Sequence, residues 1–194
     1  MSPPHPVIVK VGGSLFDLPD LGPRLRRWLD ALPSREVILI PGGGATVEVI
    51  RDLDRCHGLG DETSHWLALR MLSVQAHCLA ALLPNAVVVE CLAACSAVWR
   101  QDQVAVLDAH AFARADDTSA GALPHSWAAT SDSLAARVAL VAGAQRLILL
   151  KSVTIPRDMG WTEAGRRGFV DDCFAEVLAH AGLQVEAINF RQNS

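Results

Sequence analysis

The chain has 194 residues, the usual size of one compact domain with a full hydrophobic core. Hydrophobic residues make up 51% of it and charged residues 20%, a composition that excludes a disordered chain. The net charge of -4 comes from interspersed acidic and basic residues, which argues against nucleic-acid binding and favours a small-molecule partner. Polar residues interrupt every long apolar stretch and no basic leader precedes the first strand-like run, so we expect a cytoplasmic protein without a membrane span.

Two apolar runs rich in β-branched residues, at 7–11 and 37–40, predict the first two strands. Between them, leucines spaced along one helical face predict a helix that Pro33 ends. Such a crossover is right-handed and makes the two strands parallel. The glycine-rich turns that follow the two strands are therefore expected at the same edge of the sheet.

Two further helices are predicted at 44–57, closed by Gly58, and at 61–83. The longer one carries two apolar stripes, one that includes Leu72 and Leu79 and one that includes Val74 and Leu82. One stripe fits the sheet, and the other needs a neighbouring helix or a second subunit. We therefore expect a homodimer or a larger homo-oligomer.

The rest of the chain continues the alternation of strands and helices. Strands are predicted at 86–89, 104–107, 146–150 and 184–188, helices at 130–142 and 171–181, an irregular excursion at 109–127 and a loop at 152–168. Together the elements predict an α/β protein, a three-layer α/β/α sandwich around a mainly parallel sheet. The five cysteines lack the spacing of a metal site or a disulfide framework and are predicted to be buried thiols.

Only two of the 17 cationic side chains are lysines, Lys10 and Lys151. Lys10 lies just before Gly12-Gly13-Ser14, where glycines let backbone N–H groups approach an anion and the ammonium adds a point charge. Lys151 follows the apolar strand 146–150 and is expected at the same sheet edge. This arrangement suits a phosphate group, although a tight turn beside a solvated lysine would give the same sequence.

The second glycine-rich turn, Pro41-Gly42-Gly43-Gly44, leads directly into a helix whose free N–H groups favour an anion. Neither turn has the spacing of a Walker A loop, and the second lacks the third glycine of a dinucleotide-binding fingerprint. Close packing of the backbone explains three glycines equally well, so both interpretations stay open.

A polar turn, Thr130-Ser131-Asp132-Ser133, begins the predicted helix 130–142. Thr130 or Ser131 is expected to cap that helix, and an acidic residue in its first turn is a common stabilising feature. Because the helix also starts at the carboxyl edge of the sheet, Asp132 is equally well placed to hold the ammonium groups of Lys10 and Lys151 together. Two fixed ammonium groups suit a transferring phosphoryl group, whose charge is spread over three oxygens.

In this order, the motifs resemble the amino-acid kinase superfamily, which includes acetylglutamate kinase, carbamate kinase and bacterial uridylate kinase. The resemblance covers about residues 7–153, and the runs at 58–66 and 123–133 look most like the small kinases of methanofuran synthesis, which convert an aminomethyl-furan methyl phosphate to its diphosphate. It implies one kinase domain over 1–194, with an acceptor half at about 1–125 and a shortened nucleotide half at about 126–194. The implied activity is ATP-dependent phosphorylation of a small anionic substrate, a phosphate monoester or a carboxylate.

The resemblance also implies roles for individual residues. Lys10, Asp132 and Lys151 would be catalytic, with Lys10 on the transferring phosphoryl group and Asp132 orienting the lysines. The implied phosphate-binding residues are Gly12, Gly13, Ser14, Ser131 and Ser152, and the implied substrate-binding residues are Gly42, Gly43, Gly44, His65 and Trp66. The seven histidines show no metal-ligand spacing, so Mg2+ would be held by the nucleotide phosphates rather than by a protein site.

The sequence departs from the superfamily after strand 146–150. Members usually carry an acidic residue and a glycine turn there and a second catalytic lysine much later, whereas this chain has Lys151-Ser152-Val153 and no later lysine. Lys151 is therefore the candidate for the second lysine, and a non-catalytic ligand- or phosphate-binding module derived from the same fold remains the alternative. His65 and Trp66 also have an ordinary structural interpretation, as the start of helix 61–83, beside that of a platform for a flat ring.

Overall fold

The computed structural model describes residues 5–179 and 181–192. Within these ranges, six parallel strands form one sheet in the order β3-β4-β2-β1-β5-β6. The strands are β1 (Val7–Val11), β2 (Val37–Pro41), β3 (Ala86–Val89), β4 (Val104–Leu107), β5 (Arg146–Lys151) and β6 (Gln184–Asn189). β1 lies between β2 and β5, with Val11 in register with Pro41 on one side and Leu150 on the other.

Helices cover both faces of this sheet. They are α1 (Leu21–Asp30), α2 (Ala45–His57), α3 (Asp61–Leu82), α4 (Cys95–Trp99), α5 (Ala109–Asp116), α6 (Ser131–Val141), α7 (Trp161–Arg166) and α8 (Phe174–Leu178). Alternate residues of β1 face opposite layers, so that Val9 packs in a cluster with α1 and Ile8 in a cluster with α6. The predicted α/β/α sandwich with a parallel sheet is confirmed.

The long helix α3 contributes to the core on both sides of the sheet. Leu69 and Leu72, near its middle, pack in the cluster that contains α5 and α6, whereas Leu79, nearer its C-terminus, packs with α1. The helix also contacts α2 and α5, which follow the carboxyl ends of β2 and β4. The second predicted stripe is not covered within this chain, since Val74 and Leu82 are 51% and 46% exposed.

Three predicted segments differ from the structure. The excursion at 109–127 was expected to be irregular but begins with α5, and the loop at 152–168 contains α7. Both helices are short and bury one or two side chains each, too few to give a helical period in the sequence. The helix predicted at 171–181, of which residue 180 lies outside the described ranges, is the single short helix α8, because only Phe174 of α8 is buried and little packing favours more turns.

The prediction that the cysteines are buried thiols is wrong for three of them. Cys95 is buried, whereas Cys56, Cys78 and Cys91 are exposed. Cys56 and Cys78 lie on outward faces of α2 and α3, and neighbouring leucines and alanines in the sequence do not specify which face of a helix a residue occupies. No helix in the described part of the chain is long and apolar enough to cross a membrane.

Candidate active site

The turns that follow β1 and β2 lie side by side at the carboxyl edge of the sheet. Gly12 donates its N–H to the carbonyl oxygen of Leu150 at 2.8 Å, and Gly42 donates its N–H to the carbonyl oxygen of Val11 at 2.7 Å. These bonds continue the hydrogen bonding of the sheet past the strand ends. The expectation that Gly12 offers its N–H to a phosphate is therefore wrong, and the N–H of Gly42 is likewise already used.

The next glycines of the two turns touch backbone to backbone. A Cβ atom on Gly13 would lie 2.1 Å from the nitrogen of Gly44, and one on Gly42 would lie 2.7 Å from the nitrogen of Gly13. Among the hydrogen bonds of the described residues, none uses the N–H of Gly13, Gly43 or Gly44. Close packing therefore requires the glycines, and it leaves three donors side by side, as an anion site needs.

Lys10, Asp132 and Lys151 form a bridged cluster of charges beside these turns. The ammonium nitrogen of Lys10 lies 2.8 Å from Oδ1 of Asp132, and that of Lys151 donates to Oδ2 at 2.9 Å. The side chains of Lys10, Asp132 and Lys151 are only 6%, 7% and 13% exposed. Because two ammonium groups share one carboxylate, these three groups carry a net positive charge that favours a further anion.

Burial and charge act against each other within this cluster. Burial would raise the pKa of Asp132, but the ammonium groups of Lys10 and Lys151 outweigh it and hold that pKa below its usual value. Burial, followed by the charge of Lys10, lowers the pKa of Lys151 against the opposing attraction of Asp132 and Asp171. Asp132 is therefore ionised at neutral pH, and Lys151 loses its proton more readily than an exposed lysine does.

The start of α6, which carries Asp132, is anchored by Asp171, a residue that the sequence analysis missed. Its carboxylate accepts hydrogen bonds from the backbone N–H and hydroxyl of Thr130, at 2.9 and 2.7 Å, and from the N–H of Ser133 at 3.0 Å and the Ser133 hydroxyl. The helix begins at Ser131 after Thr130, yet the Thr130 side chain makes no capping hydrogen bond to it. Thr130 is therefore the N-cap residue, as predicted, but the oxygens that bind the start of the helix come from Asp171, 38 to 41 residues later.

A cavity of about 1120 Å³ opens beside the glycine turns. This volume is slightly above the range of about 300–1,000 Å³ that is usual for small-molecule sites. Its walls come from the two glycine turns, α2, α3, α5 and the segment that leads into α6, and its lining includes Gly13, Ser14, Gly43, Gly44 and Ser131. The free N–H donors of the turns are therefore accessible from a space large enough for a metabolite.

His65 and Trp66 both line this cavity. The ring of His65 stacks on that of His125 with centroids 4.8 Å apart, and Trp66 meets the two histidines edge to face at 5.1 and 4.9 Å. Burial, followed by the charge of His125, lowers the pKa of His65 to about 4, so the ring of His65 is neutral. The three rings pack on one another, as expected if His65 and Trp66 stabilise the start of α3. Substrate binding by His65 and Trp66 stays a prediction.

His125 joins two walls of the cavity and was also missed by the sequence analysis. Its Nδ1 lies 2.7 Å from a carboxylate oxygen of Glu62 on α3, and its Nε2 lies 2.6 Å from one of Asp117 at the end of α5. The hydrogen bond that Glu62 accepts, together with the one that Asp117 accepts, raises the pKa of His125. Glu62 is thus engaged by a protein partner rather than free for a ligand.

The serines of the predicted phosphate site lie in two places. Ser14 donates from its hydroxyl to that of Ser152 at 2.8 Å, which joins the turn after β1 to the residue that follows Lys151. Ser131 lines the cavity next to Asp132, and its hydroxyl lies beside the second glycine turn, 3.2 Å from where a Cβ atom on Gly42 would be. The contact of these three serines with phosphate stays a prediction.

The donors of this site fit the phosphate chain of a nucleotide. Three free backbone N–H groups and two ammonium groups converge at one sheet edge, which is the chemistry that phosphate oxygens require. No group of three histidine, cysteine or acidic side chains within residues 5–179 and 181–192 is placed to hold a metal ion.

No family model matches the sequence. Among proteins of known function, the chain is similar to the (5-(aminomethyl)furan-3-yl)methyl phosphate kinase of Methanocaldococcus jannaschii, with 26% identity over 147 residues. The match covers 75% of this chain and 65% of that relative, so the chain spans slightly less than two thirds of the relative's length.

Three solved structures have a similar fold. The uridylate kinase of Archaeoglobus fulgidus matches with a TM-score of 0.66 at 16% identity, covering 94% of this chain and 90% of that one. The UMP kinases of Ureaplasma parvum and Bacillus anthracis match with TM-scores of 0.65 and 0.66 at 12% and 11% identity, each covering 98% of this chain and 92% and 89% of theirs. The chain has the fold of the uridylate kinases, which confirms the fold that the resemblance to the amino-acid kinase superfamily implies.

Proposed function

We propose that this chain, which has the amino-acid kinase fold, is an ATP-dependent phosphotransferase that transfers the γ-phosphoryl group to a small phosphate monoester or carboxylate. The observation that carries the proposal is the buried bridge of Lys10, Asp132 and Lys151 beside free backbone donors. The relative and the structural neighbours are all named as kinases, which supports the same class of reaction.

In this proposal the chain supplies charge and position rather than covalent chemistry. Asp132 holds the two ammonium groups in fixed places, where Lys10 and Lys151 neutralise the oxygens of the transferring group. The N–H groups of Gly13 and Gly43 bind oxygens of the same phosphates. An anionic acceptor oxygen forms the new bond to phosphorus as the bond to the bridging oxygen of ADP breaks, so no proton has to be removed and no general base is needed.

The cavity next to the turns is the proposed acceptor site, and the side of Ser14 and Ser152 is the proposed approach of ATP with its magnesium ion. A phosphate monoester is the favoured acceptor because its own charge complements the net positive lysine cluster. Within that class we propose (5-(aminomethyl)furan-3-yl)methyl phosphate, since the relative is named for it and the wall formed by His65 and Trp66 suits a flat ring. The product would be the corresponding diphosphate, as in methanofuran biosynthesis, made in the cytoplasm where ATP is available.

We also propose that two chains form a homodimer through the exposed stripe of α3. Val74, Cys78 and Leu82 are exposed on the same face of this helix, which a second copy of the chain would bury.

The test is a transfer assay with ATP labelled at the γ-phosphoryl group, magnesium and a panel of acceptors that includes (5-(aminomethyl)furan-3-yl)methyl phosphate and UMP. We expect label to move to one acceptor, with an equal amount of ADP formed. Lys151→Gln should lower turnover by roughly a hundredfold or more, whereas Arg157→Gln, an exposed cation on the loop after β5, should leave it unchanged. Binding of an ATP analogue without transfer to any acceptor would instead support the non-catalytic module.

A further inference from the structure

We propose that Asp171 is a positioning residue of the phosphoryl-transfer site, which fixes Asp132 and through it the two lysines by holding the start of α6. The inference rests on the proposed function and extends it to a part of the chain that touches neither lysine. It makes the segment before α8 a component of the site.

The contacts of Asp171 are concentrated on one turn of the chain. One oxygen accepts three hydrogen bonds, from the N–H and hydroxyl of Thr130 and the N–H of Ser133, and the other accepts the Ser133 hydroxyl. Among the described residues, no lysine or arginine lies within ion-pair distance of Asp171. Its charge is instead stabilised by the N–H groups at the start of α6, where the helix dipole favours an anion.

Asp132 lies between the two residues that Asp171 holds. Because Thr130 and Ser133 are fixed on either side, the backbone of Asp132 cannot shift or rotate without breaking these bonds. Its carboxylate must meet two ammonium groups at 2.8 and 2.9 Å, and displacements of about 1 Å are enough to lower catalytic rates strongly. By fixing the start of α6, Asp171 therefore also fixes the positions of the two ammonium groups that Asp132 binds.

The charge of Asp171 also reaches the lysine cluster. Lys151 faces Asp132 and Lys10, and the attraction of Asp171 adds to that of Asp132 in favouring the protonated ammonium. Loss of Asp171 would therefore act on Lys151 twice, through a loosened Asp132 and through the missing charge. Asp171→Asn separates the two effects, because asparagine loses the charge and can keep the hydrogen bonds to the start of α6.

The test uses Asp171→Ala and Asp171→Asn, with the exposed neighbour Asp172→Ala as a matched control. Asparagine can keep the four hydrogen bonds. Its amide oxygen replaces Oδ2 of Asp171, which accepts three of them, and its NH2 group can donate to the Ser133 hydroxyl oxygen. Alanine removes all four. The chain has only two lysines, so a protein labelled with 13C at the lysine Cε gives two side-chain signals, and a pH titration by NMR follows Lys151 without any turnover.

In folded Asp171→Ala we expect kcat with ATP and the acceptor of the transfer assay to fall roughly tenfold or more, with the KM for ATP changed by less than about twofold. The Lys151 signal should titrate at lower pH than in the wild type, and Asp171→Asn should restore most of kcat. A folded Asp171→Ala that matches Asp172→Ala in both kcat and the Lys151 titration would overturn the proposal.

If Asp171→Ala does not fold, Thr130→Val and Ser133→Ala carry the test, since each removes one hydroxyl donor to Asp171 and keeps the other three bonds. The double variant should show a lower kcat and a lower titration midpoint of Lys151, both changed less than in Asp171→Ala. An unchanged kcat and lysine titration would count against the positioning role. A wild-type protein that transfers no phosphoryl group to any acceptor would overturn the proposed function. The assignment of Asp171 is then still decided by comparing the Lys151 titration in Asp171→Ala and Asp171→Asn: a lower midpoint in alanine than in asparagine supports positioning, and equal midpoints overturn it.

Discussion

Replacing Asp132 by asparagine removes the charge that bridges the two lysines with almost no change in shape. In the wild type each carboxylate oxygen meets one ammonium group, at 2.8 and 2.9 Å. Asparagine keeps a single acceptor oxygen, so one ammonium then faces an NH2 donor and neither is paired with a carboxylate. Helix capping does not depend on this position, because Asp171 supplies it.

The size of the effect follows from the burial of the two lysines, which are 6% and 13% exposed. Two buried ammonium groups without a carboxylate repel each other, and the cheapest relief is the loss of one proton. At pH 8, removing a proton from a lysine with the usual pKa of about 10.4 costs about 3 kcal/mol. We therefore expect the free energy of unfolding to fall by about 2–3 kcal/mol at pH 8, and by less at higher pH. Turnover should fall by roughly a hundredfold or more, because positioned charge carries most of phosphoryl-transfer catalysis.

The assay is urea unfolding and single-turnover phosphoryl transfer on the same preparation of Asp132→Asn. Asp158→Asn is the control, since Asp158 is exposed on the loop after β5. Unfolding and turnover that both match the control would refute the bridge as a feature of the folded protein. A loss of stability with unchanged turnover would show that Asp132 is structural only.

Four further predictions address other parts of the account. Lys10→Arg should lose most turnover at nearly unchanged Tm, because a planar guanidinium cannot replace a compact ammonium between phosphates, and near-normal turnover would contradict the assignment. Gly13→Ala should lower the free energy of unfolding by about 1–3 kcal/mol, since its Cβ would lie 2.1 Å from the nitrogen of Gly44, and wild-type stability in urea would argue against the close contact of the turns. The raised pKa of His125 means that its contacts stabilise the fold below about pH 6.5 and are lost as pH rises through the folded pKa, so the Tm difference between wild type and His125→Gln should shrink from pH 6 to pH 9. Leu82→Glu should dissociate the expected homodimer in sedimentation, and a wild-type protein that sediments as a monomer at all concentrations would exclude it.

The parts of the site that the sequence predicts are those fixed by the topology of a parallel sheet. Lys10 and Lys151 end in neighbouring positions because β1 pairs with β5 in register, and both strands are buried apolar runs whose carboxyl ends must share one edge. Asp132 follows from the same rule, since the helix that precedes β5 has to begin at that edge.

The parts that the sequence did not predict depend on contacts between segments distant along the chain. Asp171 is one of two adjacent acidic residues before a short helix, and nothing local indicates that it meets Thr130 and Ser133. The use of the Gly12 N–H by the sheet depends on where Leu150 falls in the register, which the strand pattern alone does not specify. The clamp of His125 between two carboxylates likewise requires α3 and α5 to lie against each other beyond the sheet.

Phosphate groups of a nucleotide should bind at the two lysines bridged by Asp132. NMR of the two 13C-labelled lysine side chains, recorded during titration with a non-hydrolysable ATP analogue and magnesium, tests it directly because no other lysine contributes a signal. We expect both signals to shift together and to saturate, and the shifts to be lost in Asp132→Asn. Two signals that stay unchanged at millimolar analogue would contradict the account.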